Sequence, residues 1–451
     1  MLRTKLSHRS IARILLAAAL AVAIYMLLPT WQSAGAKDSS PTRAKATKPG
    51  DWPEWRGPMR DGKSIETGLL TEWPADGPEL IWKADGIGEG FSSVSLQNGK
   101  IYTVGNTDDK TMSVTALRAA DGEKIWTAPV AEAYFHGNGD GPRSTPTLDG
   151  NLLYLITPQG DVVCLKTSDG KEVWRRSLIK DFGGQMMSKW GYSESPLVDG
   201  ERLLCTPGGR DATIVALSKR NGKEIWRSAV PDIGSAGKDG AAYSSIVQSN
   251  ACGVPQYVQL LGRGVVGVDA KTGKFLWGYN RIAGGVANVP DPVVDGDHVF
   301  ATTGYNDGGC ATIKLVKDGK EIKVEELKYR PANEFRNHHG GVVLVDGHLY
   351  FGNGQNQGFP TCLEFLTLEP TWGKERGAGS GSAAVAYADG QLYFRYQNGV
   401  MALIPADPKE YKLTSSFKIP DSSKPSWPHP VIVGGRLYIR EQDQLLVYRI
   451  K

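Results

Sequence analysis

A repeated pattern of short apolar strands ending in tryptophan constrains the fold of this sequence more than any other feature. The clearest copy is Asn151–Leu178, which reads NLLYLITPQGDVVCLKTSDGKEVWRRSL. Turn signals at Gly160 and Ser168–Gly170 divide it into three strands, because Asp-Gly supplies the positive φ that a tight hairpin needs. A fourth strand, Ser144–Leu148, precedes them and ends at Asp149–Gly150. One unit is therefore predicted to be a four-stranded antiparallel meander.

Further copies of this unit lie on both sides of the first. The tryptophan recurs about every 50 residues, at Trp82, Trp126, Trp174, Trp226 and Trp277. Weaker copies follow at His298–Gly304, His348–Gly354 and Gln391–Gly399, and a last one closes the chain at Arg436–Ile450. A lone meander cannot bury both of its faces, so the copies are predicted to stack on one another.

The first and last copies are incomplete in complementary ways. Arg436–Ile450 has no outermost strand after it, whereas Glu79–Lys83 is an outermost strand with nothing before it. Pairing the two would close a ring of eight blades and remove the exposed sheet edge. The predicted fold class is all-β, an eight-bladed β-propeller of four-stranded antiparallel blades over residues 52–451.

Composition agrees with this fold and argues against some functions. The 451 residues include 55 Gly and 26 Pro, as expected for a turn-rich all-β chain. The net charge of +4 is small and forms no basic stripe, which argues against nucleic-acid binding. Five cysteines lie far apart in different repeats, without metal-ligand spacing, and are predicted to be small buried side chains: Cys164, Cys205, Cys252, Cys310 and Cys362.

The N-terminus has the features of a targeting segment. Basic residues between positions 3 and 13 precede an apolar run over 14–28, and Ala34-Gly35-Ala36 offers the small residues that a signal peptidase reads. The apolar run is short for a membrane-spanning helix, which needs about 20 residues. We predict a cleaved signal peptide over 1–36, with an uncleaved anchor as the alternative and as the only contact with a membrane. A disordered linker is predicted over 37–51, and the mature protein is predicted to be periplasmic or in the cell envelope.

Aligning the repeats on the Gly that ends each innermost strand predicts a binding site. Eight positions before that Gly lie residues that should ring the mouth of the central channel: Phe91, Pro142, Tyr192, Asn288, His339, Ser382 and Trp427. Tyr243 takes this place in the fourth repeat if a short insertion at Asn250–Cys252 is allowed. The predicted binding residues are Arg143, Tyr192, Glu194, Tyr243, Asn288, His338, His339 and Trp427. Aromatic walls with a few polar anchors are typical of ligand pockets. No catalytic residue and no metal ligand is assigned.

Two further features carry expectations about position. Adjacent residues on a regular strand point to opposite faces, so His338 and His339 should not face one metal unless the strand start is bent. The stretch before Glu79 is rich in Trp and Pro, and its residues Trp52, Trp55 and Leu69 are predicted to cover the outside or bottom of the last blade.

The motif Asp-x-x-Thr-Gly-x-x-x-Trp, most complete at Asp269–Trp277 (DAKTGKFLW), resembles the pyrroloquinoline quinone (PQQ)-like β-propeller repeat. The resemblance covers essentially the whole of 52–451 and implies that the repeated tryptophans pack between neighbouring blades. It has two branches, the quinoprotein dehydrogenases and non-enzymatic propellers similar to the outer-membrane assembly factor BamB. Phrases such as WGYSESPLVDG (Trp190–Gly200) look like those of an exported bacterial group within it.

The sequence departs from the dehydrogenase branch. Those enzymes carry adjacent cysteines that form a disulfide over the cofactor, whereas no two cysteines are neighbours here, and no Cys-x-x-Cys-His for haem is present. We therefore expect an exported, monomeric, non-catalytic binding or scaffold protein for an envelope protein, peptide or glycan, without a cofactor. The alternative is a dehydrogenase that uses PQQ and calcium to oxidise an alcohol or sugar.

Overall fold

The computed structural model describes residues 48–137, 139–305, 307–373 and 375–451, and these form an eight-bladed β-propeller. Each blade is a four-stranded antiparallel sheet, so the predicted fold class is confirmed. The predicted signal peptide and most of the predicted linker lie outside the described residues.

The first strand of the described chain, β1 (Leu80–Ala84), belongs to blade 8, and the other seven blades are built from consecutive strands. Blades 1 to 4 consist of β2 (Ser95–Gln97), β3 (Lys100–Asn106), β4 (Thr111–Arg118) and β5 (Lys124–Glu132); β6 (Thr147–Asp149), β7 (Leu152–Ile156), β8 (Asp161–Lys166) and β9 (Glu172–Ser177); β10 (Leu197–Asp199), β11 (Arg202–Cys205), β12 (Ile214–Ser218) and β13 (Glu224–Ser228); and β14 (Val247–Ser249), β15 (Gln256–Leu261), β16 (Gly264–Asp269) and β17 (Phe275–Tyr279).

Blades 5 to 8 consist of β18 (Val293–Asp295), β19 (His298–Thr302), β20 (Gly309–Asp318) and β21 (Glu321–Pro331); β22 (Asn337–Val345), β23 (His348–Asn353), β24 (Phe359–Glu364) and β25 (Pro370–Trp372); β26 (Ala383–Ala388), β27 (Gln391–Tyr396), β28 (Val400–Pro405) and β29 (Ser415–Lys418); and β30 (Val431–Val433), β31 (Arg436–Glu441) and β32 (Gln444–Arg449), completed by β1. The first strands of neighbouring blades contact one another around the central channel.

Helical structure is minor. The helix α1 (Leu178–Phe182) follows β9, begins where the side chain of Ser177 accepts the Lys180 N–H, and ends at Gly183 in the left-handed conformation. A 3₁₀ turn spans Ala251–Gly253. No helix in the described ranges is long and apolar enough to cross a membrane.

The ring closes as the incomplete copies predicted. Strand β1 pairs antiparallel with β32, with Trp82 opposite Val447 and Ala84 opposite Leu445. The seam between blades 8 and 1 is also bridged by Arg440 of β31, which is 2% exposed. Its guanidinium donates to three main-chain carbonyls that precede or belong to blade 1, those of Gly88 (2.6 Å), Ser92 (3.2 Å) and Val104 (2.7 Å). The closing seam is thus held by a buried cation as well as by a strand ladder.

The repeated tryptophans pack between blades because each covers a turn glycine of the next blade. The pairs are Trp82 on Gly122, Trp126 on Gly170, Trp174 on Gly222 and Trp226 on Gly273. A Cβ at Gly273 would lie 2.4 Å from the Trp226 ring, and that glycine has a φ of +72°. The motif therefore needs glycine at this position for two reasons: the positive φ of the backbone and the close approach of the indole ring.

Two details complete the core. Trp277 is 2% exposed, belongs to an apolar cluster shared with blade 5, and donates its indole N–H to Gln256 of its own blade. Cys164, Cys205, Cys310 and Cys362 are buried, and Cys252 is half-buried. The cysteines therefore serve mainly as small apolar side chains of the sheets.

Candidate functional site

A cavity of about 510 Å³ opens where the innermost strands enter the channel. Its lining comes from every blade and from the segment that precedes β1. The lining residues are Trp55, Arg56, Phe91, Arg143, Trp190, Ser193, Ser195, Tyr243, Ser245, Ala287, Val289, Pro290, Asp291, Tyr305, His338, His339, Gly341, Gln355, Asn356, Gln397, Trp427 and His429. Residues distant in sequence meet here because equivalent places in successive blades lie around one axis.

Five of the eight predicted binding residues line this cavity. These are Arg143, Tyr243, His338, His339 and Trp427. Trp427 stacks on Phe91 with ring centroids 4.3 Å apart, and its indole N–H donates to the side-chain oxygen of Gln397 over 2.8 Å. The Tyr243 hydroxyl lies 2.7 Å from the hydroxyl of Ser188 and accepts the Trp190 N–H. Hydrogen bonds thus hold the aromatic walls in place.

The other three predicted residues are buried beside the cavity and bind neighbouring backbone. Tyr192 donates its hydroxyl to the Pro207 carbonyl over 2.9 Å. The Asn288 amide donates to the carbonyls of Leu261 and Gly262. Their side chains do not line the cavity because the segments leading into the innermost strands are irregular, so equivalent positions do not point the same way.

Glu194, the third of these, is 2% exposed and lies in a polar cluster under the cavity. Its carboxyl accepts both the backbone N–H of Thr206 (2.7 Å) and the Thr206 hydroxyl (3.0 Å). Burial nevertheless raises the pKa of Glu194 to about 8, because desolvation penalises the charged carboxylate more than these bonds favour it. Glu194 therefore contributes little negative charge to the cavity at neutral pH.

The two adjacent histidines lie on the same side of their strand. The register of β22 shifts between Asn337 and Val342, and Gly341 has a φ of +67°. This bend lets the rings of His338 and His339 stack with centroids 3.5 Å apart. The strand start is therefore bent, which is the exception that the expectation for a regular strand allowed.

A bent strand start would allow both histidines to face one metal ion. Both ring nitrogens of His338, however, already lie within hydrogen-bond distance of hydroxyl groups. Nδ1 lies 2.7 Å from the Ser382 hydroxyl and Nε2 lies 3.1 Å from the Tyr305 hydroxyl. Among the residues that the structure describes, no three His, Cys, Asp or Glu side chains are grouped to hold a metal ion. His338 is thus tied to hydroxyl groups of the protein.

Three histidines at the cavity are neutral at pH 7. Burial lowers the pKa of His338 to about 4 and that of His429 to about 3, and it lowers the pKa of His339 well below its usual value. The charge of Arg143 acts in the same direction on His339. His429 donates from Nε2 to the His339 carbonyl over 3.0 Å. The imidazoles therefore act as polar, uncharged groups.

Arg143 provides a positive charge without a direct ion-pair partner among the described residues, although the charge of Asp140 acts on it from farther away. Its guanidinium donates to the carbonyls of Gly139 (2.9 Å) and Trp190 (3.2 Å) and lies 5.6 Å from the centre of the Phe91 ring. In the described part of the chain no carboxylate oxygen comes within 4.0 Å of this guanidinium. Arginine stays charged at any physiological pH, so Arg143 gives the cavity a cationic wall.

The segment before β1 provides the floor of the cavity. Trp55 donates its indole N–H to Asp291 over 2.7 Å and lies 4.5 Å from the His429 ring. The predicted position of Trp55 on the last blade is therefore wrong. Trp52 packs at the seam of blades 8 and 1, and Leu69 packs between blades 7 and 8.

This segment crosses from blade to blade. Arg60 donates to the Ser195 carbonyl of blade 3 over 2.8 Å, and Lys63 donates to the Leu344 carbonyl of blade 6 over 3.2 Å. The Ser64 N–H binds the Tyr387 carbonyl of blade 7. Residues 52–64 thus run across the channel below the cavity, and Trp55 and Arg56 are site residues that the repeat pattern did not reveal.

Asp291 is the one carboxylate among the described lining residues, and its oxygens are engaged. One accepts the Ser245 N–H over 2.6 Å, and the other accepts the Trp55 indole N–H and lies 3.9 Å from Arg56. Burial lowers the pKa of Arg56, while the charge of Asp291 acts to raise it. This ion pair fixes the floor and leaves Arg143 as the charged residue of the described lining without a direct ion-pair partner.

The fold and cavity define a PQQ-like β-propeller with a solvent-open pocket at the channel mouth. A family model described as the outer membrane protein assembly factor BamB matches residues 110–363 and 208–413, together more than half of the chain. This protein belongs to that family.

Individual relatives are distant. Tetrathionate hydrolase of Acidithiobacillus ferrooxidans is 23% identical over 349 residues, which cover 72% of this chain but 53% of that protein, so the chain spans about half the length of that relative. BamB of Salmonella typhimurium is 23% identical over 371 residues, covering 70% of this chain and 88% of that protein. The crystal structure of quinohemoprotein alcohol dehydrogenase from Comamonas testosteroni has a TM-score of 0.61 at 14% identity, covering 90% of this chain and 81% of that one, which shows a shared fold.

Proposed function

We propose that this protein is an exported, non-catalytic binding protein of the cell envelope that holds its partner in the cavity at the channel mouth. Membership of a family described as an outer membrane protein assembly factor supports the envelope role and a protein partner, and a peptide or glycan is the other partner class that we propose for the cavity. The predicted signal peptide over 1–36 supports export.

The observation that carries this proposal is that the cavity is rich in binding groups, whereas its described lining residues include no exposed nucleophile with a base beside it. The closest approach to such a pair is the Ser382 hydroxyl with His338. Ser382 is 4% exposed and does not line the cavity, and the lowered pKa of His338 makes it a poor base. The cavity therefore supports recognition better than acyl transfer.

The alternative is a dehydrogenase that uses PQQ and calcium, and the donor set argues against it. Calcium takes roughly six to eight oxygen ligands, several of them carboxylate oxygens. Asp291 is the one carboxylate among the described lining residues, and its oxygens already accept the Ser245 and Trp55 N–H groups. The Arg56 guanidinium, 3.9 Å from Asp291, would also repel a calcium ion. Those residues do not fit a calcium-bound quinone, so we infer that the site functions without this cofactor.

Site-specific photo-crosslinking in living cells of the native host tests the proposal. Benzoylphenylalanine is placed at Gln355, a lining residue, and in a matched variant at Ile225, which is 48% exposed on the outermost strand β13. We expect an adduct, read by gel shift and by intact mass, from the Gln355 variant and none from the Ile225 variant. An adduct only from Ile225 would move binding to the blade edges, and folded variants that give no adduct at either place would count against an envelope partner.

A further inference from the structure

We infer that the mouth cavity binds an acidic sugar, meaning a hydroxylated ring that carries a carboxylate, either free or at the end of a glycan. This inference rests on the proposed function, because it names the ligand class of the same cavity. Three properties of the cavity lead to it: its charge, its free hydrogen-bond donors, and its aromatic walls above a closed floor.

The charge favours an anion. Asp291 is paired with Arg56 at the floor, and the histidines at the cavity are neutral. Arg143, which is half-buried, is therefore the charged lining residue without a direct ion-pair partner among the described residues, and the charge of Asp140, which does not line the cavity, acts on it from beyond 4.0 Å. Arg143 uses two carbonyls as partners, although a guanidinium has five N–H donors. A ligand carboxylate would supply a direct countercharge, and charge-assisted bonds of this kind are stronger than neutral ones.

Other groups in the cavity also lack acceptors. The Nδ1 atom of His339 is enclosed without a hydrogen-bond partner, whereas Nε2 is not, so Nε2 is the ring nitrogen that a ligand can reach. We take the tautomer with the proton on Nε2, in which this atom is a donor. Gln397 uses its side-chain oxygen to accept the Trp427 indole N–H, which leaves its NH₂ group as a donor. These donors call for a ligand with oxygen atoms beyond the two of a carboxylate, and the hydroxyl and amide side chains of the lining can bind the hydroxyls of such a ligand as well.

The walls favour a ring with an apolar face. Trp190 and Trp427 are half-buried in the lining, so part of each indole faces the cavity. A sugar ring presents C–H groups on its faces and hydroxyls at its edge, which matches aromatic walls joined by polar groups. The volume of about 510 Å³ lies within the range of small-molecule sites, roughly 300–1,000 Å³.

The floor decides how a longer ligand would lie. Because residues 52–64 cross the channel below the cavity, with Trp55 and Arg56 in its lining, a glycan could not pass through the ring. A glycan would enter by the mouth of the channel, and its terminal residue would occupy the cavity. Free uronate and a terminal uronate residue share this chemistry.

Tryptophan fluorescence titration and calorimetry of the mature protein test the inference. The probes are galacturonate and a galacturonate trimer, with galactose as the neutral match and benzoate as an acid without hydroxyls. We expect saturable binding of galacturonate at least tenfold tighter than that of galactose or benzoate. If the trimer binds at least as tightly as the monomer, a terminal glycan residue is the source; if only the monomer binds, a free uronate is.

Variants locate the site. Arg143→Met is expected to weaken galacturonate binding at least tenfold, whereas Arg281→Met, which removes an exposed arginine stacked 3.9 Å from the Tyr329 ring, should leave it unchanged. Arg143 also holds the carbonyls of Gly139 and Trp190, so a second variant, His339→Phe, removes a donor while keeping an aromatic ring and should weaken binding several-fold.

Equal binding of galactose and galacturonate, or of benzoate and galacturonate, would overturn the inference, as would no binding of either form of galacturonate by the folded protein. None of these results would change the outcome of the crosslinking at Gln355. The ligand class and the envelope binding role therefore fail separately.

Discussion

Replacing Arg440 with methionine is expected to lower the free energy of unfolding by about 3 kcal/mol. The guanidinium donates from blade 8 to the carbonyls of Gly88, Ser92 and Val104, and methionine would leave these buried acceptors without partners. Each unsatisfied buried group costs about 1–3 kcal/mol, partly offset because no cation then has to be desolvated. Urea unfolding at pH 7 measures the difference.

A matched control lies on the same closing blade. Arg449 of β32 forms an exposed ion pair with Glu79 over 2.8 Å, with both side chains more than half exposed. Arg449→Met should change the free energy of unfolding by less than about 1 kcal/mol, as is usual for surface ion pairs. Equal losses in the two variants would show that the buried bridge does not hold the ring closed.

Trp226→Ala is expected to lower the free energy of unfolding by about 3–5 kcal/mol, as for other large-to-small changes of buried aromatic residues. Trp226 is 8% exposed and fills the space between blades 3 and 4, against Tyr257 and over Gly273. Its indole N–H is buried without a hydrogen-bond partner, so the loss would report packing alone. Trp427→Ala, whose ring faces the cavity, should cost much less, and similar losses at both positions would contradict this division of roles.

The same contact can be tested from its other side. Gly273 and Gly319 have φ values of +72° and +60°, but a Cβ at Gly273 would strike the Trp226 ring whereas one at Gly319 would meet open space. Alanine strains the backbone at both positions, and at Gly273 it should cost about 1–3 kcal/mol more through overpacking. Equal stability of the two variants would argue against the Trp–Gly contact as the reason for the motif.

The sequence allowed the ring to be predicted because strand pairing leaves few alternatives. An outermost strand at Glu79–Lys83 and an incomplete unit at Arg436–Ile450 satisfy each other's edges, and β1 pairs with β32 accordingly. Rotational repetition likewise predicted that Arg143, Tyr243 and His339 would meet. Both predictions depend on spacing, which the sequence contains.

The floor of the cavity and the stacked histidines could not be predicted in this way, because they depend on irregular backbone, whose course the spacing of the repeats does not determine. Residues 52–64 do not follow the repeat, so the spacing of the repeats did not predict that Trp55 would lie under the cavity. Trp55 and Arg56 are neighbours in the sequence, but that pair alone gave no indication of their position. The bend that stacks His338 on His339 did leave a signal, since Gly340 and Gly341 follow the pair directly. Glycines after a strand start are a mark of such bends.

Adding PQQ and calcium to the purified mature protein tests most directly whether the mouth cavity is a binding site or a quinone site. After dialysis, the absorbance spectrum and dye-linked oxidation of alcohols and sugars are recorded, with and without a calcium chelator. With Asp291 already engaged by Trp55, Ser245 and Arg56, we expect no retained quinone and no dye reduction. Retention of one quinone per chain, with alcohol oxidation that the chelator abolishes, would contradict the proposed function.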